Sequence, residues 1–515
     1  LLIYITDKLK EALMLTVKLA GYNADADIIA KTKKEGWDGL NNISPETISA
    51  AYARISRDPR PVTELRADSL IEVDRARKSN ENIVFKMGHH SVAEHAYLNF
   101  DILGLSRLAV ESLEESRLCA YTEKSQRYIT LEGDYVKPFE FGSAAMDIFD
   151  AVIARQVGAY KKLFPVLFEY RKKQYPEQLK TKSGLNLLEG WAKEDARYAL
   201  ALGTECQLGF STNARNLEHI IRKLKYHPLS EVRQLSAELY DRAKDIVPSL
   251  VILSDPDAFK KQFGVEVSDG ILKDGREKAM KASSKVLKAV KQVKAGAGKF
   301  SAVLLAGSTP DADSRIVAAV LAGNSNKPYG ECLAAAKKLG TEGREKFVKS
   351  LFAGLNEHDS LYREFEAVNF VYDIVLSSSA FAQMKRHRMM SIFKQPYDVS
   401  LGFTTPPSII ETKQQDIFNG VMEETHKAYK KLLKSGSAAA EYVLTNAHRR
   451  RIIVNANLRE LYHIARLRMD WHAQWDIQDI AAQMVKVTQK AAPLSAALAC
   501  GKDKFREVYS KFMEK

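Results

Sequence analysis

The frame N-x-R-x-L-x-H occurs twice in this 515-residue chain, as Asn213-Ala-Arg-Asn-Leu-Glu-His219 and as Asn457-Leu-Arg-Glu-Leu-Tyr-His463. A repeat constrains the fold strongly, because each copy must be a unit that folds in the same way. The surroundings repeat as well. Leu98-Asn-Phe-Asp-Ile102 alternates apolar and polar residues as a half-buried strand does, and a helix is predicted from Ser106 towards Arg117. In the second copy Val368, Phe370, Tyr372, Ile374 and Leu376 recur at every other position, and a helix is predicted from Ser377 towards Arg388. The first copy is longer by about 27 residues, placed around Phe164 to Ala192, where loops tolerate insertion.

Between the copies Lys278, Lys281, Lys285, Lys288, Lys291 and Lys294 recur three or four apart beside Val286, Leu287, Val290 and Val293, the pattern of an amphipathic helix. It stops at Ala295-Gly-Ala-Gly298, before the strand-like Phe300-Ser-Ala-Val-Leu-Leu305. The Gly-Ala-Gly-Lys lacks the spacing of a phosphate loop. We therefore expect a first domain with a helical N-terminal extension over 1–272, a lysine-rich linker over 273–299 and a second domain over 300–515.

A net charge of +13 favours anionic partners, although a basic surface that only solvates the protein accounts for it equally well. The charge is spread along the chain, and no homeodomain, zinc-finger or RNP-like motif appears, so small phosphorylated ligands are preferred over nucleic acid. Cys119, Cys206, Cys332 and Cys500 are far apart, which argues against a zinc site or a disulfide framework. No apolar run is long enough to span a membrane, and Leu1-Leu-Ile-Tyr-Ile-Thr is too short for a signal peptide. A cytoplasmic protein without membrane association is expected. Residue 1 is Leu, so the natural start is expected upstream.

Two further motifs flank the repeated frame. The first half reads His89-His-Ser91-Val-Ala-Glu94-His95 and then Glu115-Ser-Arg117-Leu-Cys-Ala-Tyr-Thr-Glu123-Lys-Ser125-Gln-Arg127-Tyr128. The second reads Arg386-His387-Arg388-Met-Met-Ser391-Ile-Phe393-Lys394-Gln395-Pro396-Tyr397-Asp398-Val399. Glu123, Ser125 and Arg127 are spaced by two, so in an extended segment they would share a side; an exposed polar edge is the plainer alternative. Arg215 and His219 lie four apart on one helical face, as do Arg459 and His463. Arg468, nine residues beyond Arg459, falls roughly 180° around the same helix, and pairing with Asp470 or Asp476 is its structural alternative. His89, His90 and His95 look like a metal cluster, but the second copy has only His358 in the matching region, so no metal is assigned.

Taken together these motifs resemble those of flavin-dependent thymidylate synthases: H-x-S-x-x-E-H, then R-H-R-x-x-S-x-N-E-x-S-x-R-Y, then N-x-R-x-L-x-H-x-x-x-L-R. The chain is similar to two such domains in tandem, over about residues 50–255 and 300–495. The resemblance implies an α/β (α+β) fold in which each half is a mainly antiparallel sheet with flanking helices. It also implies that a site is built between halves. One composite site would take Gln383, Arg386 and Arg468 from the second half and Glu123, Ser125, Arg127 and Arg197 from the first, as dUMP-binding residues. The mirror site would have Ser112, Glu115, Leu224, Pro396, Asp398 and Glu441, with carboxylates where arginines belong, and is expected not to hold a phosphate. FAD would be met by Ser91, Glu123, Arg386, His387, Arg388, Asn213, Arg215 and His219, with His89, Asn457, Arg459 and His463 as a second set.

The activity implied is reductive methylation of dUMP to dTMP, with methylenetetrahydrofolate and NADPH as co-substrates and FAD between them. Arg468 would be the catalytic residue, stabilising negative charge on the uracil ring. A homodimer forming a pseudo-tetramer is implied as well. Thr122 and Ala120 replace the family's Asn and Ser in one copy, and Phe393 and Lys394 replace Asn-Glu in the other. Those departures leave two alternatives open, a flavoenzyme for another pyrimidine nucleotide and a non-catalytic nucleotide- or flavin-binding homologue.

Overall fold

The computed structural model describes residues 15–35, 43–289, 302–434 and 438–514, apart from positions 128, 130 and 132. The lysine stripe beyond residue 289, the Gly-Ala-Gly stop, Tyr128 and the N-terminal apolar segment lie outside the described residues.

Each half is an α+β unit on a four-stranded antiparallel sheet. The first contains β1 (Thr16–Tyr22), β2 (Tyr97–Ser106), β3 (Ala120–Glu123) and β4 (Glu205–Asn213), in the order β1-β2-β4-β3. The second contains β5 (Val303–Ser308), β6 (Asn369–Ser377), β7 (Ser391–Tyr397) and β8 (Arg449–Asn457), in the order β5-β6-β8-β7. The alternation seen in the sequence sets the faces. Leu98, Phe100 and Ile102 are buried in one sheet, and Phe370, Tyr372 and Ile374 in the other.

The helices at the junction of the halves are labelled here in chain order. They are α1 (Arg107–Leu113), α2 (Ser143–Gln174), α3 (Lys182–Ala196), α4 (Ala214–Leu224) and α5 (Ser230–Ala243) in the first half. Helix α6 (Gly270–Ala289) precedes the second half, which supplies α7 (Ser378–Met384), α8 (Gln415–Lys434), α9 (Leu458–Arg468) and α10 (Trp475–Ala491). Strand-to-helix turns are fixed by side-chain caps in both halves. Ser106 and Ser377 accept from Ala109 N and Ala380 N, each at 3.0 Å, to start α1 and α7. The Asn of the repeated frame is likewise a cap: Asn213 accepts from Asn216 N at 2.9 Å and Asn457 from Glu460 N at 2.8 Å.

The extra residues of the first half extend α2 and add α3, where the second half has only the 20-residue α8 and a short 3₁₀ turn over Ala438–Val443. Of the predicted apolar stripe, Val286 and Leu287 on α6 are described, and they are 64% and 68% exposed. Among the described residues no helix is long and apolar enough to cross a membrane.

The halves join through backbone as well as side chains. Leu202 N and Gly203 N donate to Leu444 O and Tyr442 O at 2.6 and 2.9 Å, and Asn446 N and Ala447 N donate back to Leu200 O and Tyr198 O at 2.9 and 3.2 Å. Gly203 allows this approach, since a Cβ there would lie 3.1 Å from Tyr442 O. Beside it α2 packs on α8, and buried Gln156 donates to Thr425 Oγ1 at 2.8 Å and Val443 O at 2.7 Å. Aromatic residues of the second half, Tyr397, Tyr429 and Tyr442, belong to the hydrophobic core of the first.

Candidate active site between the halves

Short helices α1 and α7 end close to each other across the junction, and their ends carry the charged groups of the candidate site. Arg386, just after α7, reaches into the first half, with its guanidinium 2.9 Å from Glu123 Oε2 and 3.0 Å from Glu114 Oε1. Arg107 of α1 bonds the other oxygen of Glu123. Glu123 thus ends β3 between two arginines from different halves. Lys385 pairs with Glu114 at 2.8 Å, and both side chains are buried.

Deeper in, Arg197 follows α3 and is 7% exposed, donating from Nη2 to Ser379 Oγ of the second half at 2.8 Å. Burial works against its charge, and Glu194 is the main group opposing that penalty. Glu194 is itself buried, and burial raises its carboxyl to about 7 despite the nearby Arg197 and Arg127. Arg127 Nη1 lies 3.6 Å from Glu194 Oε1, beyond hydrogen-bond reach. Arg468, at the end of α9, is pushed down to about 10, first by burial and then by the positive charges of Arg127 and Arg386. The predicted cations Arg127, Arg197, Arg386 and Arg468 therefore gather from both halves, and each belongs to a set of groups that feel one another's field.

Several polar atoms in this region are buried without a hydrogen-bond partner: Arg107 Nε, Arg197 Nε, Gln126 Nε2 and Glu194 Oε1. Buried donors are normally satisfied, so unpartnered donors beside gathered arginines suit an anionic ligand. Gln383 stands at the edge, where Nε2 donates to Gln474 Oε1 at 2.6 Å; Gln474 in turn donates to Tyr198 Oη at 2.6 Å. Ser125 is arranged differently from the sequence reading. The strand ends at Glu123, the chain turns, and Arg127 N donates to Ser125 Oγ at 3.2 Å, so the three residues do not share one strand side.

The flavin candidates divide into groups. Arg386 and Arg388 line a pocket of about 260 Å³ with Cys119, Ala120 and Tyr121 of the first half. Arg388 donates to Cys119 O at 2.5 Å, and Asn216, three residues beyond the cap Asn213, donates to Leu118 O at 3.3 Å. The start of α4 and the Arg-His-Arg segment thus meet on one short stretch of chain. Arg215 pairs with Glu94 at 2.5 Å at the surface, Ser91 lies exposed in the 3₁₀ turn His90–His95, and His219 is exposed. His89 precedes that turn as its N-cap without a side-chain cap bond. Asn457, Arg459 and His463 line a separate pocket of about 220 Å³, with Arg459 bound to Leu361 O at 2.9 Å and to Glu366 at 3.0 Å. His387 is buried and faces Arg468, whose Nε lies 2.9 Å from His387 Nε2. Among the described residues no cluster of His, Cys, Asp or Glu could hold a metal ion.

The mirror side has its own arrangement. Its cleft, about 520 Å³, is lined by Ser112, Glu115, Leu224, Pro396 and Glu441 as the repeat predicts, but also by Lys223, Arg276, Lys394 and Arg450. Arg450 is buried, pairs with Glu111 at 2.6 Å and stacks 4.0 Å from the Tyr397 ring centre. Lys394 and Lys223 both pair with Glu115; burial opposes its charge, yet they hold it down to about 2. Glu441 accepts from Tyr397 N at 3.2 Å, and Asp398 caps a turn by accepting from Ser400 N at 2.8 Å. Glu115 occupies the repeat position of Arg386, and Lys394 that of Glu123. The pair Arg386–Glu123 in one site is therefore Glu115–Lys394, with signs exchanged, in the other.

A family profile described as "Thymidylate synthase complementing protein" matches the chain twice, over residues 40–249 and 304–494. The chain belongs to the thymidylate synthase complementing protein family. The first matched segment holds β2, β3 and β4 and the second holds the second sheet from residue 304 onward, so this member carries the family domain in duplicate. It is 25% identical over 434 residues to a UPF0159 protein of Chlamydia pneumoniae, covering 82% of this chain and 80% of that one. A UPF0159 protein of Thermoplasma acidophilum is 24% identical over 491 residues, covering 87% and 94%. The flavin-dependent thymidylate synthase of Clostridium tetani is 29% identical over 217 residues, which is 41% of this chain and 83% of that protein. A named synthase of the family thus spans about one half of this duplicated member.

Arg107, Glu114, Gln126, Glu194, Ser379 and Gln474 belong to the site but were not read from the sequence. Arg107 follows the capping Ser106, and Glu194 precedes the Asp195-Ala-Arg197 match by one residue. A charged residue beside a cap or a motif was the signal available for each.

Proposed function

We propose that the chain is a flavin-dependent thymidylate synthase-like enzyme with one kind of nucleotide site, formed where the two halves meet. The observation that carries the reading is the gathering of Arg127, Arg197, Arg386 and Arg468 from both halves beside buried donors that lack protein partners. Paired guanidiniums suit a nucleotide phosphate, and a partly buried site with surplus cations favours an anion.

On this reading Arg197 and Arg127 receive the phosphate, and Glu194 balances their charge in its absence. Gln383, Ser125 and Arg386 orient the rest of dUMP, while Arg468, free at its terminal nitrogens among the described residues, meets the uracil ring as negative charge develops. FAD fits beside them in part. Arg386 and Arg388 form a cationic mouth on a 260 Å³ pocket, which suits a portion of the cofactor, and a second chain would complete the rest in a dimer of fused halves. When bound, FAD supplies the redox chemistry linking NADPH and methylenetetrahydrofolate to the nucleotide. This chain's residues bind, orient and polarise.

The test is direct. Purified protein, reconstituted with FAD, should show flavin absorbance and convert dUMP to dTMP with NADPH and methylenetetrahydrofolate, and its gene should support growth of a thymidine-requiring strain. Flavin binding with turnover only on another pyrimidine nucleotide would favour the altered-specificity reading, for which Thr122 on β3 is the motivating substitution. A colourless protein that cannot be reconstituted would refute the enzyme.

A further inference from the structure

Arg468 is held by a line of buried groups that the family motif does not assign as a unit. Its Nε–H points at His387 Nε2, 2.9 Å away. A guanidinium can only donate, so His387 must present a lone pair at Nε2 and carry its proton on Nδ1. That Nδ1 lies 3.6 Å from Glu460 Oε1, outside hydrogen-bond reach, and both atoms are buried without a hydrogen-bond partner. His387 and Glu460 are 3% and 6% exposed. The His463 ring meets the His387 ring edge-on at 5.5 Å, and no acid besides Glu460 pairs with His387 among the described residues.

We infer that His387 and Glu460 are positioning residues: the carboxylate beside Nδ1 favours the imidazole tautomer that accepts from Arg468, and the imidazole fixes the Arg468 guanidinium so that both terminal nitrogens face the nucleotide base.

The inference deepens the function proposed above, and its role for Arg468 rests on that reading. The sequence supplies all three groups within two segments. Glu460 and Arg468 lie eight residues apart on α9, and His387 sits in the loop after α7. Helix α9 starts at its Asn457 cap, so the cap sets the height of both Glu460 and Arg468 against His387. Burial drives the imidazole down to about 2, reinforced by the Arg468 charge, which keeps it neutral and able to accept. The groups facing Glu460 are His387, His463 and Arg459, and burial raises its carboxyl. Even a protonated Glu460 retains a carbonyl oxygen whose negative end favours a proton on the neighbouring Nδ1.

Two measurements on the full chain test this. In protein labelled with ¹⁵N-imidazole histidine, His387, assigned by its loss in His387→Gln, should stay neutral and Nδ1-protonated from pH 5 to 9. Glu460→Leu should disturb that tautomer, and Glu460→Gln, which keeps an acceptor, should preserve it. In turnover, Glu460→Leu should lower kcat by about 10–100-fold with a smaller change in KM for dUMP, as expected for a misplaced group, and Glu460→Gln should recover most of it. An Nε2-protonated or titrating His387 in the wild-type chain would overturn the inference, as would a tautomer indifferent to Glu460→Leu. If Glu460→Leu does not fold, Glu460→Ala supplies the same comparison, because it too removes the carboxyl. A correct tautomer in a chain without dUMP turnover supports the relay and counts against the proposed reaction instead.

Discussion

Tyr198 of the first half donates its hydroxyl to Asp476 of the second at 2.8 Å, and Asp476 also accepts from Ser377, the cap of α7. The same arrangement recurs with the halves exchanged: Tyr442 of the second half donates to Glu231 of the first, which holds Ser106, the cap of α1. Each tyrosine therefore bolts one half to the capping turn of the other. Both acids are buried, so removing a donor leaves a desolvated carboxyl oxygen short of a partner. Tyr198→Phe and Tyr442→Phe should each destabilise the chain by ~1–3 kcal/mol. Calorimetric melting reads this, and losses within error for both would show that the bolts are passive.

Arg468→Ala should lower turnover by ~10²–10³ while flavin absorbance is retained, because on the proposed reading the removed charge serves the base rather than the cofactor. Lys225→Ala, beside the corresponding mirror position Leu224, should leave turnover within about twofold, the expectation for a group that stabilises no transition state. Arg386→Ala should weaken nucleotide and flavin together. Equilibrium binding should give one dUMP per chain. Two per chain, or equal losses from the Arg468 and Lys225 changes, would mean that the mirror cleft also works.

On the proposed reading, Glu194 should make nucleotide affinity depend on pH. Its carboxyl, raised to about 7 by burial, is largely protonated below that value and negative above it. A phosphate entering beside it is repelled only by the charged form, so affinity should fall as pH rises from 6.5 to 8.5. Glu194→Gln should flatten that fall. The stability sign is the same: a carboxyl with a raised folded pKa stabilises the fold below its ordinary value near ~4.5, and that contribution is lost as pH rises to about 7. Equal pH slopes for wild type and Glu194→Gln in calorimetric titrations would discard this role.

The exchanged pair Glu115–Lys394 should behave as an ion pair and not as two solvated charges. Glu115→Lys gathers three lysines with Lys223 and Lys394, and should destabilise by ~1 kcal/mol, a modest figure because the groups are partly exposed. Adding Lys394→Glu should restore most of the loss. A double variant no more stable than the single one would show that the exchange of signs has no energetic content.

How much of this was legible follows from how local each signal is. Strand alternation in Leu98–Ile102 and the capping Asn213 and Asn457 act within a few residues, so an inner strand of each sheet and the helices after these strands and caps could be read. Gln383, Arg386, Arg127, Arg197 and Arg468 could be named because a motif carries them, but their convergence depends on the packing of α2 on α8. The turn after Glu123 was missed because spacing by two describes a strand only while the strand lasts. Arg450 and Lys223, which neutralise the mirror carboxylates, come from β8 and α4 and have no motif at all. Tertiary contacts alone bring them there.

The exchange of signs has a consequence for what each half can recognise. At the two positions facing each other across the junction, the first half now carries only acids, Glu115 and Glu123, and the second only bases, Arg386 and Lys394. Two first halves brought together in this geometry would set carboxylate against carboxylate, and two second halves would set ammonium against guanidinium. A symmetric ancestor would pair with its own likeness at no such cost; here like halves meet against their charge. The face of a first half therefore favours a second half over a copy of itself, whether that second half belongs to the same polypeptide or to another.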